Sequence, residues 1–184
     1  MNEAMFRTVG GLRSGYDPDE VDDFFEHARA VYEKGPASAL SGRDVRSVAF
    51  DVVRRGYQTS AVDAALDRLE AAFVARARAD FVAEQGQQAW MGKLAEQARS
   101  LYGRLTRPDG ERFAPAHHRA PGYDPDDVDE LCARLVAYFD RGAPLTAHEV
   151  RSVTFRRQKG HAGYSEASVD AFLDRAIEVL LGAE

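Results

Sequence analysis

The chain carries five histidines, one cysteine and a set of aspartates that recur in a fixed string, and these are its most reactive residue types. His117 and His118, with His148 or His161, bear imidazoles that could ligate a metal ion. Adjacent histidines on a proline-bounded loop lack the spacing that aims two imidazoles at one ion, so no metal and no cofactor is expected. Asp22, Asp63, Asp129 and Asp170 each follow a valine and could be imagined as general acids or bases. Their identical placement in every copy points instead to a structural rule, a carboxylate near the positive end of a helix. Cys132 sits in the helical pattern VDELCARL, where a small apolar residue packs. Gly-rich phosphate loops, Gly-x-Ser-x-Gly and HExxH strings do not occur in the sequence. The expectation is a binding module and no enzyme, with a small enzyme of unrecognised type as an alternative.

Those aspartates belong to the string Gly-Tyr-x-x-x-x-Val-Asp, which occurs four times. Its fixed residues are Gly15, Tyr16, Val21 and Asp22; Gly56, Tyr57, Val62 and Asp63; Gly122, Tyr123, Val128 and Asp129; and Gly163, Tyr164, Val169 and Asp170. Tyr16 and Tyr57 are 41 residues apart, as are Tyr123 and Tyr164, so a pair has been duplicated. LSGRDVRSVAF (Leu40 to Phe50) recurs as LTAHEVRSVTF (Leu145 to Phe155), between the two tyrosines of each pair. A phenylalanine precedes each glycine: Phe6, Phe50, Phe113 and Phe155.

The elements that position these residues follow from local chemistry. Asp17 and Asp124 can cap free backbone N–H groups, Pro18 and Pro125 suit the first helical position, and the acids after them favour the positive helix end. In the other two copies, Thr59 and Ser60, and Ser165 and Ser168, offer hydroxyls for the same purpose. Val21, Phe24, Phe25, Ala28 and Val31 then fall at helical spacing, as do Val169, Phe172, Leu173, Ala176 and Ile177. The glycines are expected to provide a backbone angle or a close approach that a Cβ would forbid, with the following tyrosine ring folded onto the helix. Ser41 and Thr146 read as caps of short helices, with Asp44 and Glu149 three residues on.

From Thr59 to about Leu105 there is no proline, so one long helix is predicted, weakened near Gly86 and Gly92. Trp90 within it is read as core between the halves, with an anchor for a partner as the other reading. Arg107 to Pro121 is read as a linker or an extended lead-in. The predicted fold is all-α: tandem helical repeats, short helix–loop–helix units, in two duplicated halves joined by a long helix. The division is a first pair over 1–73, a connecting helix and linker over 74–112, and a second pair over 113–184.

With 30 acidic against 24 basic residues the net charge is -6, a field that repels phosphate backbones and anionic lipid. The basic loops at Arg54-Arg55 and Arg156-Arg157-Lys159 lack interleaved aromatics, so no nucleic acid is expected. The start, MNEAMFRTVGG, has no basic and apolar signal pattern, and no run of about 18 apolar residues occurs, so a cytoplasmic location is predicted.

The pattern Phe, a short loop, then Gly-Tyr-x-x-x-x-Val-Asp-x-Phe/Leu resembles the DivIVA domain, and four copies resemble the actinobacterial DivIVA-domain repeat proteins. GYDPDEVDDFF and GYSEASVDAFL carry the likeness most fully. The resemblance implies a cytoplasmic scaffold at cell poles or division sites that recruits a protein partner and lies peripherally at the inner face of the membrane. Family membrane contact uses an apolar residue beside an arginine in the loop before Gly-Tyr. The matching positions are Leu12 and Arg13; Val53, Arg54 and Arg55; and Arg156, Arg157 and Lys159. A peripheral membrane binder on a weakly held anionic surface is therefore the other alternative. The family domain's dimeric habit implies a monomeric pseudo-dimer, with two fused pairs docked on each other, or a homodimer.

Overall fold

Asp17-Pro18-Asp19-Glu20 begins a helix as its chemistry requires. In the computed structural model, which describes residues 4–11, 13–35 and 39–184, Asp17 accepts a hydrogen bond from the Asp19 amide at 2.9 Å and Pro18 opens helix α1, Pro18–Lys34. Asp124 and Pro125 repeat the arrangement at the start of α5, Pro125–Arg141, with the Asp126 amide 3.0 Å from the Asp124 carboxylate. The short helices α2, Gly42–Ser47, and α6, Ala147–Ser152, open with complete capping boxes built by Ser41 with Asp44 and Thr146 with Glu149, as predicted. The hydroxyl expected to cap α7, Glu166–Ala183, does not do so: Ser165 makes no side-chain cap, and its backbone carbonyl takes the Ser168 and Val169 amides.

Two units divide the chain, Met1–Glu84 and Gln85–Glu184. The first holds α1, α2 and α3, Thr59–Gln85; the second holds α4, Gln87–Leu105, with α5, α6 and α7. Mostly helical is the accurate description, and all-α needs correction. Ser14–Tyr16 (β1) pairs antiparallel with Val52–Arg54 (β2), and Pro121–Tyr123 (β3) with Arg157–Lys159 (β4). A three-residue strand is too short to show alternation, and its partner lies more than thirty residues away, so neither a pattern nor a turn announces it.

The single long helix is also corrected. Gly86 interrupts it with φ at +88°, a backbone region that glycine enters freely and side-chain-bearing residues resist. Gly92, the other suspected weak point, lies inside α4 with open space around it.

In the first unit the buried face of α1 meets α2 and α3 in two clusters, one around Ala28, Val45 and Phe73 and one around Val21, Tyr57 and Val62. Arg76 of α3 donates to the carbonyls of Val31, Tyr32 and Gly35 at 2.9, 2.7 and 2.8 Å, satisfying the otherwise free end of α1. The matching end of α5 is closed by a different device: Gly142 turns left-handed at φ +66° and its amide reaches back to the preceding turn.

The second unit has one continuous core, in which α4 supplies Leu101 and Leu105, α5 Leu131 and Leu135, and α7 Ile177 and Leu180. Trp90 is core, as expected, but within this unit: its indole N–H donates to the Gly182 carbonyl at 3.0 Å. A Cβ at Gly182 would stand 2.6 Å from Leu94 Cδ2. Gly182→Val should therefore lower the second unit's unfolding free energy by about 1–3 kcal/mol. Urea titration followed by Trp90 fluorescence measures this, and an unchanged midpoint would contradict the packing described.

Candidate functional site

The fixed residues of the string meet across each unit. The Tyr16 amide donates to the Tyr57 carbonyl at 3.0 Å and the Tyr57 amide donates back to the Tyr16 carbonyl at 2.7 Å. In the second unit the Tyr123 amide reaches the Tyr164 carbonyl at 3.0 Å, and the return bond is 2.8 Å. One residue further along, the Asp17 amide binds the Asp51 carbonyl at 2.8 Å while the Gln58 amide binds the Arg7 carbonyl at 2.9 Å. The two Gly-Tyr segments of a unit thus cross, and each is completed by the loop that precedes the other.

Close approach, and not an unusual φ, is what the glycines provide. A Cβ at Gly15 would lie 2.1 Å from the Tyr57 carbonyl oxygen, one at Gly56 2.4 Å from that of Gly15, and one at Gly122 2.4 Å from that of Tyr164. None of these glycines has a positive φ. The phenylalanines are exchanged in the same way. Phe6 meets Tyr57 with ring centroids 5.4 Å apart, Phe50 meets Tyr16 at 5.5 Å, Phe113 meets Tyr164 at 5.3 Å and Phe155 meets Tyr123 at 5.0 Å.

The aspartates complete the exchange. The Tyr57 hydroxyl donates to Asp22 Oδ2 at 3.0 Å, and the Tyr164 hydroxyl donates to Asp129 Oδ2 at 3.1 Å. The half-buried Tyr16 and Tyr123 hydrogen-bond to Asp63 and Asp170. Partial desolvation raises the pKa of both carboxyls, and the tyrosine hydroxyls oppose that rise. Helix-start charge alone was expected of these aspartates; the structure adds to each a tyrosine from the other Gly-Tyr segment of its unit. The four valines, Val21, Val62, Val128 and Val169, are fully buried.

The two units differ at the first aspartate of each pair. Asp129 is buried and also receives Arg112 Nη1 at 2.9 Å and the Gly110 amide at 2.6 Å. Met5 stands before Phe6 where Arg112 stands before Phe113, and Asp22 Oδ1 accepts from no described residue. Residues 107–121 therefore take the lead-in role, with Arg112, Phe113 and Ala116 buried. Sequence reasoning missed Arg112; its one signal is its place directly before a repeated phenylalanine. Cys132 beside this cluster is fully buried, and desolvation pushes its thiol up to about 12, so it stays protonated and packs.

The cationic candidates lie on the loops and strands around the crossings. Leu12 lies outside the described residues. Val53 is half-buried; Arg13, Arg54, Arg55, Arg156, Arg157 and Lys159 are exposed. Arg156 is held by Asp127 at 2.6 Å and Arg157 by Glu166 at 3.1 Å. His117, His118 and His161 gather at the second unit's turn, with centroids 4.2 Å apart for the first two and 6.3 Å between His118 and His161. No group of three or more His, Cys, Asp or Glu that could hold a metal ion occurs among the described residues.

In comparisons with protein-family models, curated proteins and solved structures, nothing matches the chain.

The buried Tyr164–Asp129 contact predicts a distinct alkaline response. Burial, and the adjacent carboxylate after it, push the Tyr164 hydroxyl up to about 12, against about 10 for an exposed tyrosine. The folded state thus favours the un-ionised phenol, and its contribution is complete below pH ~10 and is lost as the pH rises towards ~12. Urea unfolding at stepped alkaline pH should show that decline, and Tyr164→Phe should flatten part of it while costing about 1.5–3 kcal/mol near neutrality. Equal alkaline slopes for the two proteins would refute the assignment.

Proposed function

We propose that this chain is a non-enzymatic adaptor of the DivIVA-domain type, acting in cell division or polar growth on the cytoplasmic side through a protein partner. In this reading the four Gly-Tyr copies are tandem helical units arranged as two pairs. Crossed hydrogen bonds at Tyr16 and Tyr57, and again at Tyr123 and Tyr164, carry it. Those bonds commit the whole repeated string to cohesion. Recognition then falls to the loops before each Gly-Tyr, which are short, fixed at their ends and exposed.

The crossing also supports a monomer in which each pair stands in for a dimer. Tyrosine, phenylalanine and aspartate of one copy already find their counterparts in the other, so a second chain is not needed to satisfy them. We place the pseudo-two-fold within each pair and not between pairs.

A second reading, a peripheral membrane binder, draws on Val52, which is 63% exposed beside Arg54 and Arg55. Among the described residues, no helix is long and apolar enough to cross a membrane, so any membrane contact of these helices would be at the surface. A single valine with a few arginines gives marginal affinity for lipid, which ranks this second.

A fluorescent fusion expressed in the host should concentrate at septa or poles. Uniform fluorescence throughout the cytoplasm would overturn the adaptor reading. Salt-sensitive co-sedimentation with anionic vesicles, abolished by Arg54→Glu with Arg55→Glu, would move the conclusion to the membrane reading.

A further inference from the structure

The two crossings present cations of unlike status. In the second unit, Arg156 is bound bidentately by Asp127 and Arg157 is paired with Glu166, so two of its strongest cations are occupied by the unit's own acids. In the first unit, Arg13, Arg54 and Arg55 are exposed, and none is paired with a carboxylate among the described residues. The β1–β2 ladder gathers them: Arg54 lies opposite Ser14, and the Arg55 amide donates to the Arg13 carbonyl at 3.2 Å.

Arg55 is also strained. Its φ is +60°, and it is the one residue other than glycine with a positive φ among those described. The residue that follows β4 in the same way is Gly160, at φ +55°. The turn therefore calls for a left-handed residue in both units, and glycine meets that requirement without cost in one of them. A strained backbone position on an exposed turn, where glycine fits the matching place without strain, points to a role for the side chain held there.

We infer that this turn is a recognition tip for an acidic segment of a protein partner, its carboxylates held by the guanidinium groups of Arg13, Arg54 and Arg55. The assignment rests on the adaptor reading and names the chemistry of its partner. Charge complementarity selects the acidic class, since three arginines with no carboxylate partner among the described residues sit together on a chain of net charge -6. Position selects a peptide over a lipid surface. Bidentate Arg–carboxylate pairing depends on where the fork starts, and the β1–β2 ladder with the Arg55–Arg13 backbone bond sets the backbone from which each arginine extends. A lipid surface responds mainly to the amount of charge and to apolar insertion, and Val52 is a small wedge for insertion.

The experiment uses the full chain and a fluorescein-labelled peptide of alternating glutamate and serine, read by fluorescence anisotropy at low and physiological salt. Arg55→Gly should weaken binding about tenfold, as should Arg55→Lys, which keeps the charge and loses the fork. Arg99→Ala, on α4, should leave binding unchanged. Thermal melting of Arg55→Gly should be equal to or above that of the unsubstituted chain, because glycine suits the turn, so weaker binding is not a folding defect. Undiminished binding by Arg55→Gly or Arg55→Lys would overturn the inference. So would absence of peptide binding, or binding confined to phosphatidylglycerol vesicles in the parallel arm. A fusion that localises while the peptide arm fails would sink the tip and leave the adaptor reading standing.

Discussion

Two backbone hydrogen bonds exchanged between tyrosines of distant segments hold each unit together, and they form only where both segments lack a Cβ. The glycine before each tyrosine brings the two chains to within contact of each other's carbonyls. Once they cross, each tyrosine ring lies by the helix that follows the other segment, within reach of that helix's second fixed residue, the aspartate. The phenylalanine ahead of the partner loop then closes over the ring edge. Aromatic edge contacts of this kind add about 0.5–1.5 kcal/mol beyond the area they bury. The string is therefore not four independent motifs. Each copy is half of a contact whose other half lies 41 residues away in the chain.

This division explains what could be read from the sequence. Helix starts depend on neighbours three or four residues away, so Asp17-Pro18 and the Ser41–Asp44 box were legible directly. The glycines were legible as positions needing closeness or freedom, but which of the two depends on the segment that crosses them. The strands were not legible, because three residues carry no period and their pairing is non-local. The aspartates were legible as structural but were given only half of their role, since a tyrosine partner on a distant segment leaves no trace in local spacing. Gly86 was read as a weak point; only its φ of +88° shows that the helix ends there.

The two units solve one geometric problem with different reserves. The second surrounds its crossing with α4, a continuous core and the Arg112–Asp129 pair, in which both charges are largely withdrawn from water and further satisfied by Asp109 and Gly110. Breaking such a pair from one side leaves an uncompensated buried charge, which typically costs 3–5 kcal/mol. The first unit places Met5 at the matching position and divides its apolar residues between two smaller clusters. Local opening is easier where fewer buried contacts oppose it. The unit with the smaller reserve is also the one with the unpaired arginines.

Charge, in the end, separates the candidates that composition could not. In the sequence, Arg54-Arg55 and Arg156-Arg157 are like doublets in the loops before Gly56 and Gly163, though the second stands nearer its phenylalanine. The helices that follow supply the difference. Asp127 and Glu166 face the second doublet and neutralise it within the unit. At the first, Glu20 is the counterpart of Asp127 and accepts the Asp51 amide at 2.8 Å, as Asp127 accepts the Arg156 amide at 2.8 Å, but Asp51 brings no guanidinium to it. A one-residue difference after the phenylalanine, Asp51 against Arg156, thus decides whether the carboxylate that holds the backbone amide also holds a cation. Arg54 and Arg55, further along the first turn, have no carboxylate partner among the described residues, and both are exposed.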